Sequence, residues 1–172
     1  ALRFHLGYQE DGRNDMRALI DAWWPHIERG EIEGIVMTAS GCGAVVREYD
    51  HLLARDARYA AKAERIVAMT RDLSEVLAAE LPALSALVTK APPARIAFHA
   101  PCTLQHGQQI RGVAERVLQA CGFELTTVAD AHLCCGSAGT YAVLQPKLAN
   151  QLRSNKLAAL QAGGPTVITT AN

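Results

Sequence analysis

The residues of this sequence best suited to chemistry are its five cysteines, and they are unevenly placed. Cys42 and Cys121 stand alone, Cys102 follows a short apolar run, and Cys134 and Cys135 are adjacent in a glycine-rich segment. Thiolates suit soft metal centres such as zinc and iron–sulfur clusters. Because the sequence shows no secretory features, metal ligands or free thiols are favoured over disulfides.

The spacing of three of these cysteines predicts a shared site. Cys102 and Cys134 are separated by 31 residues, Cys135 follows directly, and each region lies where a predicted strand gives way to a loop or helix. The carboxyl ends of parallel strands meet at one edge of an open sheet, where sites form. We therefore expect the three sulfurs to face a common space. Gly136 and Gly139 would let backbone N–H groups approach inorganic sulfide closely.

Of the remaining candidates, one is predicted to be a metal ligand and the others are not. Cys42 lies at the start of a predicted helix, where the helix dipole favours a thiolate, so we predict a ligand. Cys121 closes a helical stripe of apolar residues and is predicted to be core: Ile110, Val113, Ala114, Val117 and Leu118. Three histidines could ligate or tune a metal: His99 and His106, which flank Cys102, and His132, which lies beside the cysteine pair. We expect them instead to be hydrogen-bonded polar residues near the edge of the site.

The elements that must position these residues follow from apolar periodicity. In the first half it predicts helices and one strand, at about 11–29 (helix), 34–38 (strand), from 41 onward (helix) and 57–87 (helices interrupted near Arg71 and Asp72). In the second half it predicts strands at 95–99, 123–128 and 166–170 and helices at 107–120 and 146–162. This alternation predicts an α/β fold with a mostly parallel sheet flanked by helices.

The sequence also repeats itself. Residues 35–40 (IVMTAS) match residues 167–172 (VITTAN), each after a helix and a glycine-containing turn. We therefore predict two pseudo-repeated halves: 1–90 holds the end of a first repeat plus a helical connector, and 94–172 holds a second repeat. Between them, 90–93 has the composition of a linker. On this hypothesis the parent protein has another cysteine just past the second copy and a Cys-Cys-Gly before the first.

Composition excludes several classes of function. Lys plus Arg equals Asp plus Glu, 17 against 17, and there is no basic run, so nucleic acid is a poor partner. No apolar stretch approaches the ~20 residues that span a bilayer. A thiol–disulfide oxidoreductase would need a Cys-x-x-Cys motif, which the sequence lacks.

Four motifs carry a resemblance to a known family, and it spans essentially the whole chain: residues 99–106 (HAPCTLQH), 133–141 (LCCGSAGTY), 38–43 (TASGCG) and 19–25 (LIDAWWP). The cysteine pattern resembles the cysteine-rich CCG module that heterodisulfide reductase subunits share with related electron-transfer proteins. Within that group, the four motifs together are similar to the iron–sulfur subunits of glycolate oxidases.

The resemblance implies iron–sulfur clusters of the 4Fe–4S type and assigns their ligands. Cys102, Cys134 and Cys135 take the ligand positions of the second CCG copy, and Cys42 takes the late-cysteine position of the first. No residue is implied to be catalytic. Because a cubane needs about four thiolates and the second copy offers three, we expect this stretch alone to hold no cluster or only an adventitious metal.

The resemblance also implies partners. A flavin subunit carrying FAD oxidises glycolate to glyoxylate, and the iron–sulfur subunit passes electrons toward a quinone-type acceptor. That places the complex in the cytoplasm or peripherally on the inner face of the membrane, with this stretch inactive by itself. Two alternatives stay open: a structural zinc module, and a heterodisulfide-reductase-like or lactate-oxidation CCG subunit. Metal analysis and colour separate zinc from iron, because zinc is spectroscopically silent.

Overall fold

Helices and short parallel strands alternate along the chain, which confirms the predicted α/β fold. The computed structural model describes residues 2–88 and 94–171. Packing divides the chain into two units between Leu73 and Ser74. The linker predicted at 90–93 lies outside the described residues, so the two repeats proposed for 1–90 and 94–172 stay a prediction. None of the described helices is long and apolar enough to cross a membrane.

The first unit is mostly helical and contains a two-stranded parallel sheet. Its elements are α1 (Leu2–His5), α2 (Gln9–Glu28), β1 (Ile35–Met37), α3 (Ser40–Val46), α4 (Tyr49–Leu52), α5 (Ala60–Met69) and β2 (Thr70–Asp72). The hydrophobic core forms where the apolar stripe of α2 meets that of α5. Met16 and Ile20 from α2 and Ala63 and Ile66 from α5 are fully buried. Their spacing of three or four residues is that of one helix face.

Strand β2 is a correction to the sequence prediction, which placed an interrupted helix there. Helix α5 ends at Met69, and the backbone of Thr70 turns to an extended conformation. The buried Thr70 hydroxyl donates a 2.7 Å hydrogen bond to the carbonyl oxygen of Ile66 one turn back. The next residues pair in parallel with β1, Thr70 opposite Ile35 and Asp72 opposite Met37. A three-residue polar strand has no periodicity from which to predict it.

The core of the first unit gives a stability prediction at Ile66, which is fully buried. Ile66→Ala removes three carbon atoms and leaves a cavity, so we expect the free energy of unfolding to fall by about 2–5 kcal/mol. Ile66→Val is the graded control, with an expected loss of about 0.5–1.5 kcal/mol. Hydrogen exchange of the buried amides of α5 and β1 measures both. Equal protection in the two variants would contradict the packing described above.

The second unit carries a three-stranded parallel sheet in the order β4-β3-β5. Helix α6 (Leu73–Ala79) begins at the boundary. The other elements are α7 (Leu81–Leu87), β3 (Arg95–His99), a π-helical turn (Thr103–Gly107), α8 (Val113–Ala120), β4 (Glu124–Leu125), α9 (Tyr141–Leu144), α10 (Pro146–Gln161) and β5 (Val167–Thr170). Ile96 of β3 lies opposite both Leu125 and Val167. Central strand β3 is buried through Ile96, Ala97 and Phe98.

Two predicted elements of this unit are shorter than expected. The helix predicted at 107–120 begins only at Val113, because the π-helical turn precedes it and the backbone takes left-handed φ angles of 57° at Gln109 and 68° at Gly112. The strand predicted at 123–128 forms a ladder only at Glu124–Leu125. The predictions of a strand at 95–99 and a helix at 146–162 are confirmed within one residue.

Candidate functional site

The carboxyl edge of the β4-β3-β5 sheet gathers the segments that carry three of the candidate cysteines. Strand β3 ends at His99, and Cys102 stands immediately before the π-helical turn. Strand β4 ends at Leu125, and the loop after it carries Cys134 and Cys135. Because the strands are parallel, both segments leave the sheet at the same edge.

Hydrogen bonds hold the cysteine-pair loop against the turn that follows Cys102. The buried Gln105 side chain donates from Nε2 to the carbonyl oxygen of Ala100 at 2.8 Å and to that of Ala131 at 3.2 Å. Nε2 of His106 lies 3.0 Å from the carbonyl oxygen of His132. Segments 26 residues apart in sequence are therefore joined next to the cysteines.

Around the cysteine pair, the backbone supplies a donor to sulfur. Cys134 is exposed and Cys135 is partly buried. The Gly136 N–H donates to Sγ of Cys134 at 3.3 Å. The φ angle of Gly136 is +83°, and a Cβ there would overlap the backbone carbonyl of Ala149 in α10. An N–H donor stabilises negative charge on sulfur, and hydrogen bonds to sulfur tune iron–sulfur centres.

A cavity of about 180 Å³ lies beside Cys135 at the same edge. Its lining is His99, Cys135, Arg153, Lys156, Leu157, Leu160, Ile168, Thr169 and Thr170. Burial, and secondly the charge of Lys156, lower the pKa of His99, so its ring is uncharged at neutral pH. Nδ1 of His99 lies 3.4 Å from the Thr170 hydroxyl. His99 therefore faces this cavity as a neutral polar group.

Two residues at this edge were missed by sequence reasoning. Gln105 lies in the motif at 99–106 and Lys156 in the helix predicted at 146–162, but the sequence predicts no role at the site for either residue. Lys156 has a signal in the sequence, because it lies seven residues after Ala149 and four before Leu160, on the inward stripe of α10. Gln105 has no such signal, since its partner Ala131 is known only from the fold.

The other two cysteines lie elsewhere. Cys42 is exposed in the first turn of α3, as the predicted helix start implies. Burial, followed by the charges of Asp15 and Cys42, raises the pKa of Tyr49, a buried residue of the first unit, to about 12. Cys121 directly follows α8 and is partly exposed. The prediction that Cys121 is a core residue is wrong, because Cys121 is only partly buried. The apolar face of α8 buries Val117, whereas Cys121 lies at the end of the helix.

The donor atoms at this edge limit the metals that it could bind. Between 2 and 88 and between 94 and 171, no three or more His, Cys, Asp or Glu side chains are grouped so as to hold a metal ion. The segments that carry Cys102, Cys134 and Cys135 nevertheless lie at one sheet edge, and the Gly136 N–H donates to the sulfur of Cys134. Hard cations take oxygen ligands, whereas thiols select zinc or iron–sulfur centres. The donor types fit an iron–sulfur cluster, and the assignment of individual ligands stays a prediction.

Comparison with protein families gives a match to this part of the chain. Residues 96–172, which run from β3 through β5, match the model of the CCG family, described as a cysteine-rich domain. This part of the chain is therefore similar to CCG cysteine-rich domains.

Several relatives that are named for their function resemble this chain along most or all of its length. It is 52% identical over 172 residues to the glycolate oxidase iron-sulfur subunit of Escherichia coli (strain K12), covering all of this chain and 41% of that protein. It is 29% identical over 173 residues to the probable glycolate oxidase iron-sulfur subunit of Bacillus subtilis (strain 168), of which 38% is covered. Lactate utilization protein A of Bacillus velezensis is 27% identical over 164 residues, covering 92% of this chain and 63% of that protein. The chain thus spans about two fifths of the length of the two glycolate oxidase subunits.

Proposed function

We propose that this chain is part of an iron–sulfur electron-transfer subunit of a glycolate-oxidising complex, with Cys102, Cys134 and Cys135 as ligands of one 4Fe–4S cluster. The observation that carries the proposal is the pair of contacts from Gln105 and His106 that ties the cysteine-pair loop to the turn after Cys102. Those contacts hold together, at one sheet edge, the segments that carry Cys102, Cys134 and Cys135, in a region that matches the CCG family. A fourth thiolate comes from another segment of the parent protein.

Two features around these thiols suit a redox centre. The Gly136 N–H donates to Cys134, which stabilises the thiolate against protonation. Leu157, Leu160 and Ile168 give the cavity beside Cys135 an apolar side, and Leu160 is buried. A bound cluster supplies one-electron transfer, with a potential set by charge, hydrogen bonds and exposure. Cys42 lies in the other unit, and we assign it to a separate cluster.

The names of the relatives support a substrate and partners for this proposal. We assign glycolate oxidation to a partner subunit that carries FAD, and to this chain the passage of electrons toward a quinone-type acceptor. The complex then works in the cytoplasm at the inner face of the membrane, where such an acceptor is found. Identity of 52% to a glycolate oxidase subunit against 27% to a lactate utilization protein favours glycolate over lactate.

Metal analysis of the full-length subunit, purified anaerobically with its flavin partner, tests the proposal. We expect iron and acid-labile sulfide in equal amounts, a brown absorption band, and bleaching of that band on addition of glycolate. Stoichiometric zinc without iron would instead assign the cysteines to a structural module. Bleaching by lactate but not by glycolate would show that the complex oxidises lactate instead of glycolate.

A further inference from the structure

Helix α10 buries a lysine where its neighbours on the same face are apolar. Lys156 is 5% exposed, close to Ala149 at 6% and Leu160 at 3%. A lysine is almost never buried this completely without a partner, because removing an ammonium group from water costs several kcal/mol. Lys156 therefore has a structural or functional reason to occupy this position.

The ammonium group binds the backbone of the loop that leads to the cysteine pair. Lys156 Nζ donates to the carbonyl oxygens of Asp130 at 3.0 Å and of Ala131 at 3.1 Å. The Asp130 carbonyl also accepts from the N–H of Leu133, and the Ala131 carbonyl accepts from Gln105. Lys156 thus joins α10 to the junction between the cysteine-pair loop and the turn after Cys102.

The backbone at this junction is strained in a way that needs support. Asp130 has a φ angle of +50°, one of two non-glycine residues with positive φ among those the structure describes. Such a conformation is sparsely populated and persists only where the surroundings impose it. Charge-assisted hydrogen bonds to the carbonyls of Asp130 and Ala131 are strong enough to do so.

The charge of Lys156 is not balanced by a carboxylate. Within the described part of the chain, its polar contacts are the two carbonyl oxygens, and no Asp or Glu side chain pairs with it. Lys156 shares the cavity at the sheet edge with Cys135. Two neutral carbonyls use two of the three ammonium protons and do not neutralise the positive charge. A buried charge of this kind calls for an anionic neighbour.

We propose that Lys156 is a positioning residue for the Cys134-Cys135 loop, and that its buried charge is balanced by the anionic thiolate–metal group bound at that loop. The inference rests on the proposed function for the identity of that group. It has two consequences: Lys156 fixes the strained turn at Asp130, and its positive charge makes the bound centre easier to reduce, because added negative charge lies near an ammonium group.

The first test measures the position of the loop in the full-length subunit. Lys156→Met, which keeps the length and apolar stem, should speed hydrogen exchange of the Leu133 and Gly136 amides at least about tenfold, a change of about 1.4 kcal/mol. Lys147→Met is the matched control, since Lys147 is exposed in the same helix and its loss should leave both amides unchanged. Unchanged exchange in Lys156→Met would overturn the positioning role.

The second test measures the charge through the midpoint potential of the bound cluster, followed by electron paramagnetic resonance. Lys156→Gln keeps a donor but removes the charge, so it should lower the potential, whereas Lys156→Arg should stay near the wild type. These two variants decide the matter if Lys156→Met does not fold. Equal potentials in wild type, Lys156→Gln and Lys147→Met would overturn the electrostatic role. A wild-type subunit without iron would instead reject the proposed function, and the exchange test of the loop would still stand.

Discussion

Replacing Cys134 by Ser in the full-length subunit is expected to remove one iron–sulfur cluster and to cut glycolate-driven electron transfer by more than about a hundredfold. Changes outside the ligand shell already cost about 10–100-fold in metal affinity or activity, so loss of a ligand should cost more. A Ser hydroxyl is a poor replacement, because soft thiolate ligands are what iron–sulfur clusters select. Cys135→Ser should behave in the same way.

Iron and sulfide analysis, electron paramagnetic resonance, and the rate of acceptor reduction with glycolate measure this loss. Cys121→Ser is the matched control, because it makes the same chemical change at a partly exposed cysteine that directly follows α8. We expect Cys121→Ser to keep its full iron content and its rate. A full iron complement or an unchanged rate in Cys134→Ser would remove Cys134 from the ligand set.

The sheet edge that brings the cysteines together could be predicted because it depends on local signals. The short runs at 95–99 and 166–170 predict two strands. The observed strands Arg95–His99 and Val167–Thr170 lie within one residue of those predictions. Parallel pairing then puts every strand's carboxyl end at one edge. Cys102 needs only this logic, since two residues separate it from the end of its strand.

The contacts that hold the edge together could not be predicted, because they join residues far apart in sequence. Gln105 reaches Ala131 across 26 residues, and Lys156 reaches the same carbonyl across 25. Backbone carbonyls leave no mark in an amino-acid sequence, so neither partner can be found by pattern. The π-helical turn at Thr103–Gly107 could not be predicted either, because its five residues show no periodic pattern. Function at this site thus depends on geometry that residue types only partly encode.

Gly136→Ala is expected to have the second-largest effect, because Gly136 combines two constraints. Its φ angle of +83° costs a residue with a Cβ about 1–2 kcal/mol. A Cβ would also meet the carbonyl oxygen of Ala149, which is helix backbone and cannot rotate aside. Overpacking against such a neighbour costs about 1–3 kcal/mol more. We therefore expect the cysteine-pair loop to move away from α10 and to lose the Gly136 N–H bond to Cys134.

Gly139→Ala separates the two constraints within the same loop. Its φ angle of +54° is also left-handed, but nothing lies within 4 Å of the Cβ it would gain. It should lose only the conformational term, about 1–2 kcal/mol, and keep its cluster. In the full-length subunit, iron content should fall below about half in Gly136→Ala and stay near wild type in Gly139→Ala. Loss of a group that orients a metal ligand weakens metal binding about 10–100-fold. Equal iron contents in the two variants would mean that close packing on α10 does not position the cysteines, and the ligand geometry would then have to come from the loop itself.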